Sequence, residues 1–134
     1  MYEPIRTPSL HAVAAQCGAM RGLHRSRAEE LDIRLAGHLT ALLTVTDELR
    51  ALAASPELDA AAGELAAAVA RLRGGNAPLR AAPSRAGDPA RLHQRAHMLA
   101  GQALVVATQR GDQAGAALAA RRLAAHAAAL GLAV

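Results

Sequence analysis

The sequence predicts an all-α protein, an antiparallel helical bundle of four long helices arranged as two αα-hairpins, preceded by a short N-terminal helix. Three observations support this fold class. Apolar residues recur every three or four positions along most of the 134 residues, and caps and glycines separate these segments. With no Trp and no Phe, the core must be built from Leu, Val and many Ala. We expect one domain, residues 1–134, with a flexible Arg/Pro/Gly linker at about 74–87.

The short N-terminal helix is predicted over about residues 8–24. Thr7 supplies a capping hydroxyl, and Pro8 suits the first helical position. Its apolar stripe consists of Leu10, Val13, Cys17 and Met20. Two glycines lower its helix propensity, so we expect it to be the weakest of the five helices.

The second helix is predicted over about residues 27–54, after a capping box formed by Ser26 and Glu29. A four-heptad seam follows, consisting of Ala28, Leu31, Leu35, His38, Leu42, Val45, Leu49 and Leu52. The residues expected to face solvent are Thr40, Thr44, Asp47 and Glu48. His38 occupies a position in this seam where an apolar residue is expected, and a buried imidazole needs a hydrogen-bond partner.

The third helix is predicted to begin at Ser55-Pro56, because proline disfavours helical geometry before it and suits the first turn after it. Its apolar stripe consists of Leu58, Ala62, Leu65, Val69 and Leu72, and Gly74-Gly75 end it. The short link predicts an antiparallel hairpin, and a Pro-kinked continuous helix is the alternative.

The fourth and fifth helices form the second predicted hairpin. Asp88-Pro89 opens the fourth helix, and Gly111-Asp112 ends it and caps the fifth, which runs to about Leu130. The apolar stripe of the fourth helix is Leu92, Ala96, Leu99, Ala103 and Val106, with Met98 and Val105 on the opposite side. The stripe of the fifth is Ala116, Ala119, Ala120, Leu123, Ala127 and Leu130. A helix that is apolar around most of its circumference is typical of a bundle centre or an oligomer interface.

The expected compartment is the cytoplasm. No stretch approaches the roughly 18 to 20 apolar residues of a bilayer-spanning helix, and the N-terminus lacks the pattern of a secretory signal. The single Cys17 cannot form an intrachain disulfide and is interpreted as a core residue. We therefore predict no membrane association.

Basic charge is concentrated in one part of the chain. All 15 basic residues are Arg, and the formal net charge is +4. A cluster of six is a candidate site for an anionic partner: Arg71, Arg73, Arg80, Arg85, Arg91 and Arg95. Nucleic-acid binding through this cluster is disfavoured, because the aromatic side chains on which single-stranded bases stack are missing. A solvated basic loop is the simpler interpretation.

Histidines supply the other candidate site. His93 and His97 are four residues apart on one side of the fourth helix, where two imidazoles can chelate a divalent transition metal. A third ligand would come from His38 or His126. The competing interpretation is that these are structural histidines hydrogen-bonded to the backbone or to solvent. No cofactor is predicted beyond such a metal.

The leading functional hypothesis is a non-enzymatic helical module for protein interaction or regulation, because periodicity and capping are strong whereas no residue pattern nominates a reaction. The alternatives are a His-lined bundle that binds a metal or small ligand, and an accessory nucleic-acid-binding protein that uses the Arg-rich linker. Because buried Ala contributes little hydrophobic free energy, we expect a homodimer or a higher assembly, with the fourth helix covered by a second copy.

Overall fold

The computed structural model describes residues 25–132, which contain four helices and no strand. These are α1 (Arg27–Leu52), α2 (Pro56–Leu72), α3 (Pro89–Arg110) and α4 (Gln113–Ala129). The all-α prediction is confirmed for these residues, whereas the helix predicted over 8–24 lies outside them. By its contacts the chain divides into two units, Met1–Glu30 and Leu31–Val134, and the packing described below belongs to the second unit.

Each of the four helices begins at the capping residue that the sequence predicts. The backbone N–H of Ser26 donates to Glu29 Oε1 over 2.8 Å, and that of Glu29 donates to Ser26 Oγ over 3.0 Å, which is the capping box. The side chains of Ser55, Asp88 and Asp112 accept backbone hydrogen bonds in the first turns of α2, α3 and α4. Local sequence therefore determines where each helix starts.

The link between α1 and α2 breaks the helix completely. α1 ends at Leu52, and Ser55 is extended, with φ −148° and ψ 154°, immediately before Pro56. The alternative of a Pro-kinked continuous helix is therefore wrong. The link between α3 and α4 is shorter still, because Gly111 takes φ 77°, a left-handed conformation that glycine adopts without steric cost.

Contacts at the two ends of the bundle establish the directions of the helices. At one end, Asp32 of α1 pairs with Arg110 of α3, and Arg71 of α2 pairs with Asp112 before α4. The residues that meet at the other end are Glu57 with Arg122 and His93 with His126. The members of each hairpin are therefore antiparallel, whereas α2 and α3 run in the same direction.

The segment of residues 73–88 must consequently travel the length of the bundle. The 22 residues of α3 make a helix about 33 Å long, a distance that an extended chain of this length can cover. The segment contains no helix or strand. It is nevertheless attached to α1, because Arg80 donates two hydrogen bonds to Asp47.

Leu side chains of α1 form the centre of the core, and small residues line the helices that pack on them. The residues without solvent exposure include Leu35, Leu39, Leu42, Leu65, Ala96, Ala100, Ala103 and Ala107. Gly115 lets α4 approach closely, since a Cβ there would lie 3.2 Å from Leu35 Cδ2. This close packing is how a chain without large aromatics builds a core.

On α1 the predicted seam is buried at Leu31, Leu35, Leu42, Val45 and Leu49, whereas Ala28, His38 and Leu52 are only half-buried. His38 is half-buried, and Leu39, the next residue, is fully buried in its place. Asp47, expected to face solvent, is only 8% exposed. A helix with 3.6 residues per turn at the centre of a bundle buries a wider arc than a two-position heptad seam, and this arc includes Leu39, Leu43 and Asp47.

On α4 the predicted stripe is rotated from the buried face. The buried residues are Gly115, Leu118, Ala119, Arg122, His126 and Ala127, whereas Ala120, assigned to the stripe, is exposed. Alanine is so frequent in this helix that several faces have nearly equal hydropathy. Two polar residues, Arg122 and His126, therefore occupy core positions that the apolar pattern does not reveal.

None of the four helices in residues 25–132 has the length and hydropathy that a bilayer crossing requires.

Candidate functional site

A histidine cluster, consisting of Glu57, His93, Arg122 and His126, joins three helices at one end of the bundle. Glu57 lies in the first turn of α2, His93 near the start of α3, and Arg122 and His126 on the buried face of α4. His126 is 1% exposed and Arg122 is 4% exposed. The Ala-rich neighbourhood thus encloses a cation and an imidazole.

The hydrogen bonds of this cluster require two neutral imidazoles. Arg122 Nη2 lies 3.3 Å from His126 Nε2, and because a guanidinium only donates, this ring nitrogen accepts. The proton of His126 is then on Nδ1, which lies 2.9 Å from His93 Nδ1. His93 accepts there and carries its own proton on Nε2. These tautomers follow from the donor and acceptor inventory of the three side chains.

Electrostatics agree with this assignment. Burial, the Arg122 cation and the neighbours His93 and His97 lower the pKa of His126 from 6.5 to about 4. Burial and Arg122 also lower the pKa of His93, against a smaller opposite effect of Glu57. Both rings are therefore uncharged at neutral pH, and neither holds a proton that it would release to a substrate there.

Only part of the hydrogen-bonding capacity of Arg122 is used. Its Nη1 donates a short hydrogen bond to Glu57, whose side chain is 60% exposed. Its buried Nε has no hydrogen-bond partner among the described residues. A buried donor without a partner costs stability, so the Arg122 guanidinium is a locally destabilising group in this cluster.

The predicted metal ligands are only partly brought together. His93 meets His126 rather than His38, with ring centroids 5.2 Å apart. His97 is half-buried, and His38, on α1, has a pKa lowered by burial and by Arg34. Among residues 25–132, no group of three or more His, Cys, Asp or Glu side chains is arranged to hold a metal ion. His11, Cys17 and His24 lie outside the described residues.

An aspartate cluster, consisting of Asp47, Arg50, Asp59 and Arg80, lies where the 73–88 segment passes the C-terminal half of α1. Arg80 donates through Nε to Asp47 Oδ2 over 3.0 Å and through Nη2 to Oδ1 over 2.7 Å. Arg50 donates through Nη1 to Asp47 and through Nε to Asp59. Burial raises the pKa of Asp47, but the bonds from Arg80 and Arg50 outweigh it and hold the pKa below 3.8.

The six Arg residues of the predicted anionic-partner site do not form one surface. Arg71 is paired with Asp112, and Arg80 with Asp47. The other four are exposed and form no salt bridge with any described residue: Arg73, Arg85, Arg91 and Arg95. Arg50, which sequence reasoning did not select, joins Arg80 and Arg85 in lining one cavity.

The outward side of α3 carries an apolar pair. Met98 is 52% exposed and Val105 is 57% exposed, two helical turns apart, as the sequence pattern predicted. We define the α3 stripe as the exposed residues Gln94, Met98, Gln102, Val105 and Gln109. This stripe is uncharged, whereas Arg91 and Arg95 lie beside it at the N-terminal end of α3.

Comparisons with protein-family models, with curated proteins and with solved structures found no match to this chain.

Proposed function

We propose that the protein is a helical interaction module that works as a homodimer, with the α3 stripe as the contact between two copies. The observation that carries this proposal is the exposure of Met98 and Val105 on a long, otherwise well-packed helix. Large apolar side chains aligned on one helical face gain hydrophobic free energy when a second surface covers them.

The polar residues of the α3 stripe fit a helix–helix contact. Gln94, Gln102 and Gln109 can hydrogen-bond across an interface without the desolvation cost of a charged group. The stripe extends over most of α3, about 33 Å for its 22 residues. A contact of this length can support a paired helix from each copy.

Charge favours an antiparallel arrangement of the two α3 helices. A parallel pair would place Arg91 and Arg95 against their own copies, and like charges in contact are destabilising. With a two-fold axis near Gly101, Met98 instead faces Val105 of the second copy. Arg91 and Arg95 then approach the C-terminal end of the other α3, where the helix dipole is negative.

Light scattering coupled to size-exclusion chromatography tests this proposal. We expect a mass of twice the 13.7 kDa chain mass at low micromolar concentration. The double variant Met98→Glu/Val105→Glu should elute as a monomer, because four carboxylates would meet at the contact. A wild-type mass of 13.7 kDa would contradict the dimer.

Ile33 provides a matched control, since it is an apolar residue of α1 with a similar exposure of 53%. Ile33→Glu should leave the dimer intact if the α3 stripe is the contact. Dissociation by Ile33→Glu combined with an unaffected Met98→Glu/Val105→Glu variant would place the interface elsewhere and overturn the assignment to α3.

We propose a cytoplasmic location for this module. The support comes from the sequence, whose single Cys cannot form an intrachain disulfide and so fits a reducing compartment. Fractionation of cells that express the full chain should recover it with cytoplasmic markers, and recovery with membranes would contradict this.

A further inference from the structure

A cavity of about 570 Å³ lies between α1 and the 73–88 segment. Asp47, Arg50 and Ala51 line it on the side of α1, and Arg80, Pro83 and Arg85 on the side of the segment. The volume falls in the range of roughly 300–1,000 Å³ that is typical of small-molecule sites. Its lining carries three cations against one carboxylate.

Two Arg side chains occupy most of the acceptor sites of the Asp47 carboxylate. It accepts two bonds from Arg80 and one from Arg50, and with a side chain only 10% exposed it has little remaining contact with solvent. Asp47 therefore does not compete for further cations in the cavity. Its effect is to hold the guanidinium planes of Arg80 and Arg50 in place, which is the arrangement of a preorganised binding site.

Donors remain in the cavity after these bonds are counted. Nη1 of Arg80 and Nη2 of Arg50 make no hydrogen bond with any described residue, because the bonds of both side chains use other nitrogens. Arg85 forms no salt bridge with any described residue and offers all five of its N–H groups. The three guanidinium groups thus bring unused donors and positive charge to one open, solvent-accessible cavity.

We propose that this cavity is a binding site for the phosphoryl group of a small phosphate compound, held by Arg50, Arg80 and Arg85. A phosphoryl group has three terminal oxygens and up to two negative charges, and each guanidinium can donate two parallel hydrogen bonds to such oxygens. The proposal is independent of the dimer, since none of the three residues belongs to the α3 stripe.

The chemistry of the lining also limits the rest of the ligand. Apart from the charged groups, the walls are Ala and Pro, with no aromatic ring on which a base could stack. The one aromatic residue of the chain is Tyr2. A small phosphate ester or inorganic phosphate therefore fits the cavity better than a nucleic acid does.

Isothermal titration calorimetry with the full chain tests this site, using inorganic phosphate, glycerol phosphate and a single-stranded oligonucleotide in separate titrations. We expect saturable binding of one phosphate group per chain. Tighter binding of glycerol phosphate would identify an ester as the ligand, and tighter binding of inorganic phosphate would identify the free anion. Both results support the proposal.

Arg85→Gln is the informative variant, because Arg85 supports no internal salt bridge and its loss leaves the fold intact. It should weaken phosphate binding about tenfold or more. Arg73→Gln is the matched control, an exposed Arg that is likewise unpaired among the described residues but lies outside this cavity. It should leave the affinity unchanged.

Three results would overturn the proposal. One is the absence of saturable binding of either phosphate compound up to roughly 10 mM. Another is an equal loss of affinity in Arg73→Gln and Arg85→Gln, which would indicate a general attraction to positive charge. The last is tighter binding of the oligonucleotide than of glycerol phosphate, which would indicate a nucleic-acid surface instead.

Discussion

In both the histidine cluster and the aspartate cluster, Arg side chains lie beside a buried titratable group. That group is a base, His126, in the first cluster and an acid, Asp47, in the second. In the histidine cluster Arg122 lies against a base, and burial together with the Arg122 charge keeps the imidazole neutral. In the aspartate cluster Arg80 and Arg50 lie against an acid, and their charge keeps the carboxylate ionised. An Arg cation therefore lowers the pKa of its neighbour in both clusters. The result is an uncharged imidazole at His126 and a charged carboxylate at Asp47.

This difference separates the pH ranges in which the two clusters respond. The folded pKa of His126, about 4, lies below its unfolded value of 6.5, so the folded protein binds fewer protons than the unfolded chain between them. Stability is thus lost as pH falls through this range. Asp47 also has a lowered folded pKa, but its contribution is lost only as pH falls below about 3.8.

The largest expected effect is acid destabilisation through the histidine cluster. Between about pH 7.5 and about pH 5, the shift of His126 should remove about 2 kcal/mol from the free energy of unfolding, and His93 should add to this in the same direction. Urea denaturation at a series of pH values measures the loss. The Asp47 contribution should be constant over this range.

Two histidine variants make this prediction specific. His126→Gln removes the titratable ring and should flatten most of the pH dependence, whatever its effect on stability at pH 7.5. His97→Gln changes a half-buried histidine of the adjacent turn of α3 and should retain most of the dependence. If His126→Gln kept the wild-type slope, the histidine cluster would not be the source of acid sensitivity.

The second effect concerns the aspartate cluster. Asp47→Asn should lower the free energy of unfolding by about 1 kcal/mol at neutral pH. The half-exposed Arg50 and Arg80 side chains would then donate to an uncharged amide instead of a carboxylate, which weakens these hydrogen bonds. It should leave the slope between about pH 7.5 and about pH 5 unchanged. The same variant should speed tryptic cleavage at Arg80 and Arg85, because the segment is no longer held against α1.

Asp59 serves as the control for this variant, since it bonds to Arg50 but is 54% exposed and forms no hydrogen bond or salt bridge with a residue of the 73–88 segment. Asp59→Asn should cost less stability than Asp47→Asn and should leave tryptic cleavage at wild-type rates. Equal cleavage of Asp47→Asn and wild type would mean that Arg80 does not hold the segment.

The two clusters also mark the limits of what the sequence predicts. The four helices and their caps follow from local signals such as Ser26 with Glu29 and Asp112 after Gly111. Leu, being large, identifies the buried face of α3 correctly at Leu92 and Leu99. The role of a polar side chain is therefore predictable from sequence when its hydrogen-bond partner is a few residues away in the chain.

The buried polar residues escape prediction because their partners are distant in sequence. Asp47 lies in the buried arc of α1, where Arg80, 33 residues away, and Arg50 donate hydrogen bonds to its carboxylate. His126 and Arg122 occupy core positions because His93 and Glu57 meet them from other helices. One feature of the sequence does indicate the buried face of α4. Leu118 is the one large apolar residue in the N-terminal half of this helix, and Arg122 and His126 follow it at four-residue spacing, on the same face.

The smallest expected effect comes from removing Arg122 itself. Arg122→Met replaces a buried cation whose Nε lacks a partner with an apolar side chain of similar length. Removing one member of a buried ion pair is costly when it leaves a buried charge unpaired, but here the remaining carboxylate, that of Glu57, is 60% exposed and water can solvate it, while the desolvation cost of the Arg122 cation disappears. We expect a change of less than about 1 kcal/mol in the free energy of unfolding at pH 7.5.

The pH dependence of the free energy of unfolding of Arg122→Met then measures how much burial and the Arg122 charge each contribute to the low pKa of His126. Burial, the largest cause, remains in this variant, whereas the charge of Arg122 is removed. The acid loss should therefore shrink without vanishing. Glu57→Gln is the contrasting variant, since it leaves the Arg122 cation buried without its carboxylate and should cost more stability than Arg122→Met does. The reverse order would show that the Arg122–Glu57 pair contributes net stability to the bundle.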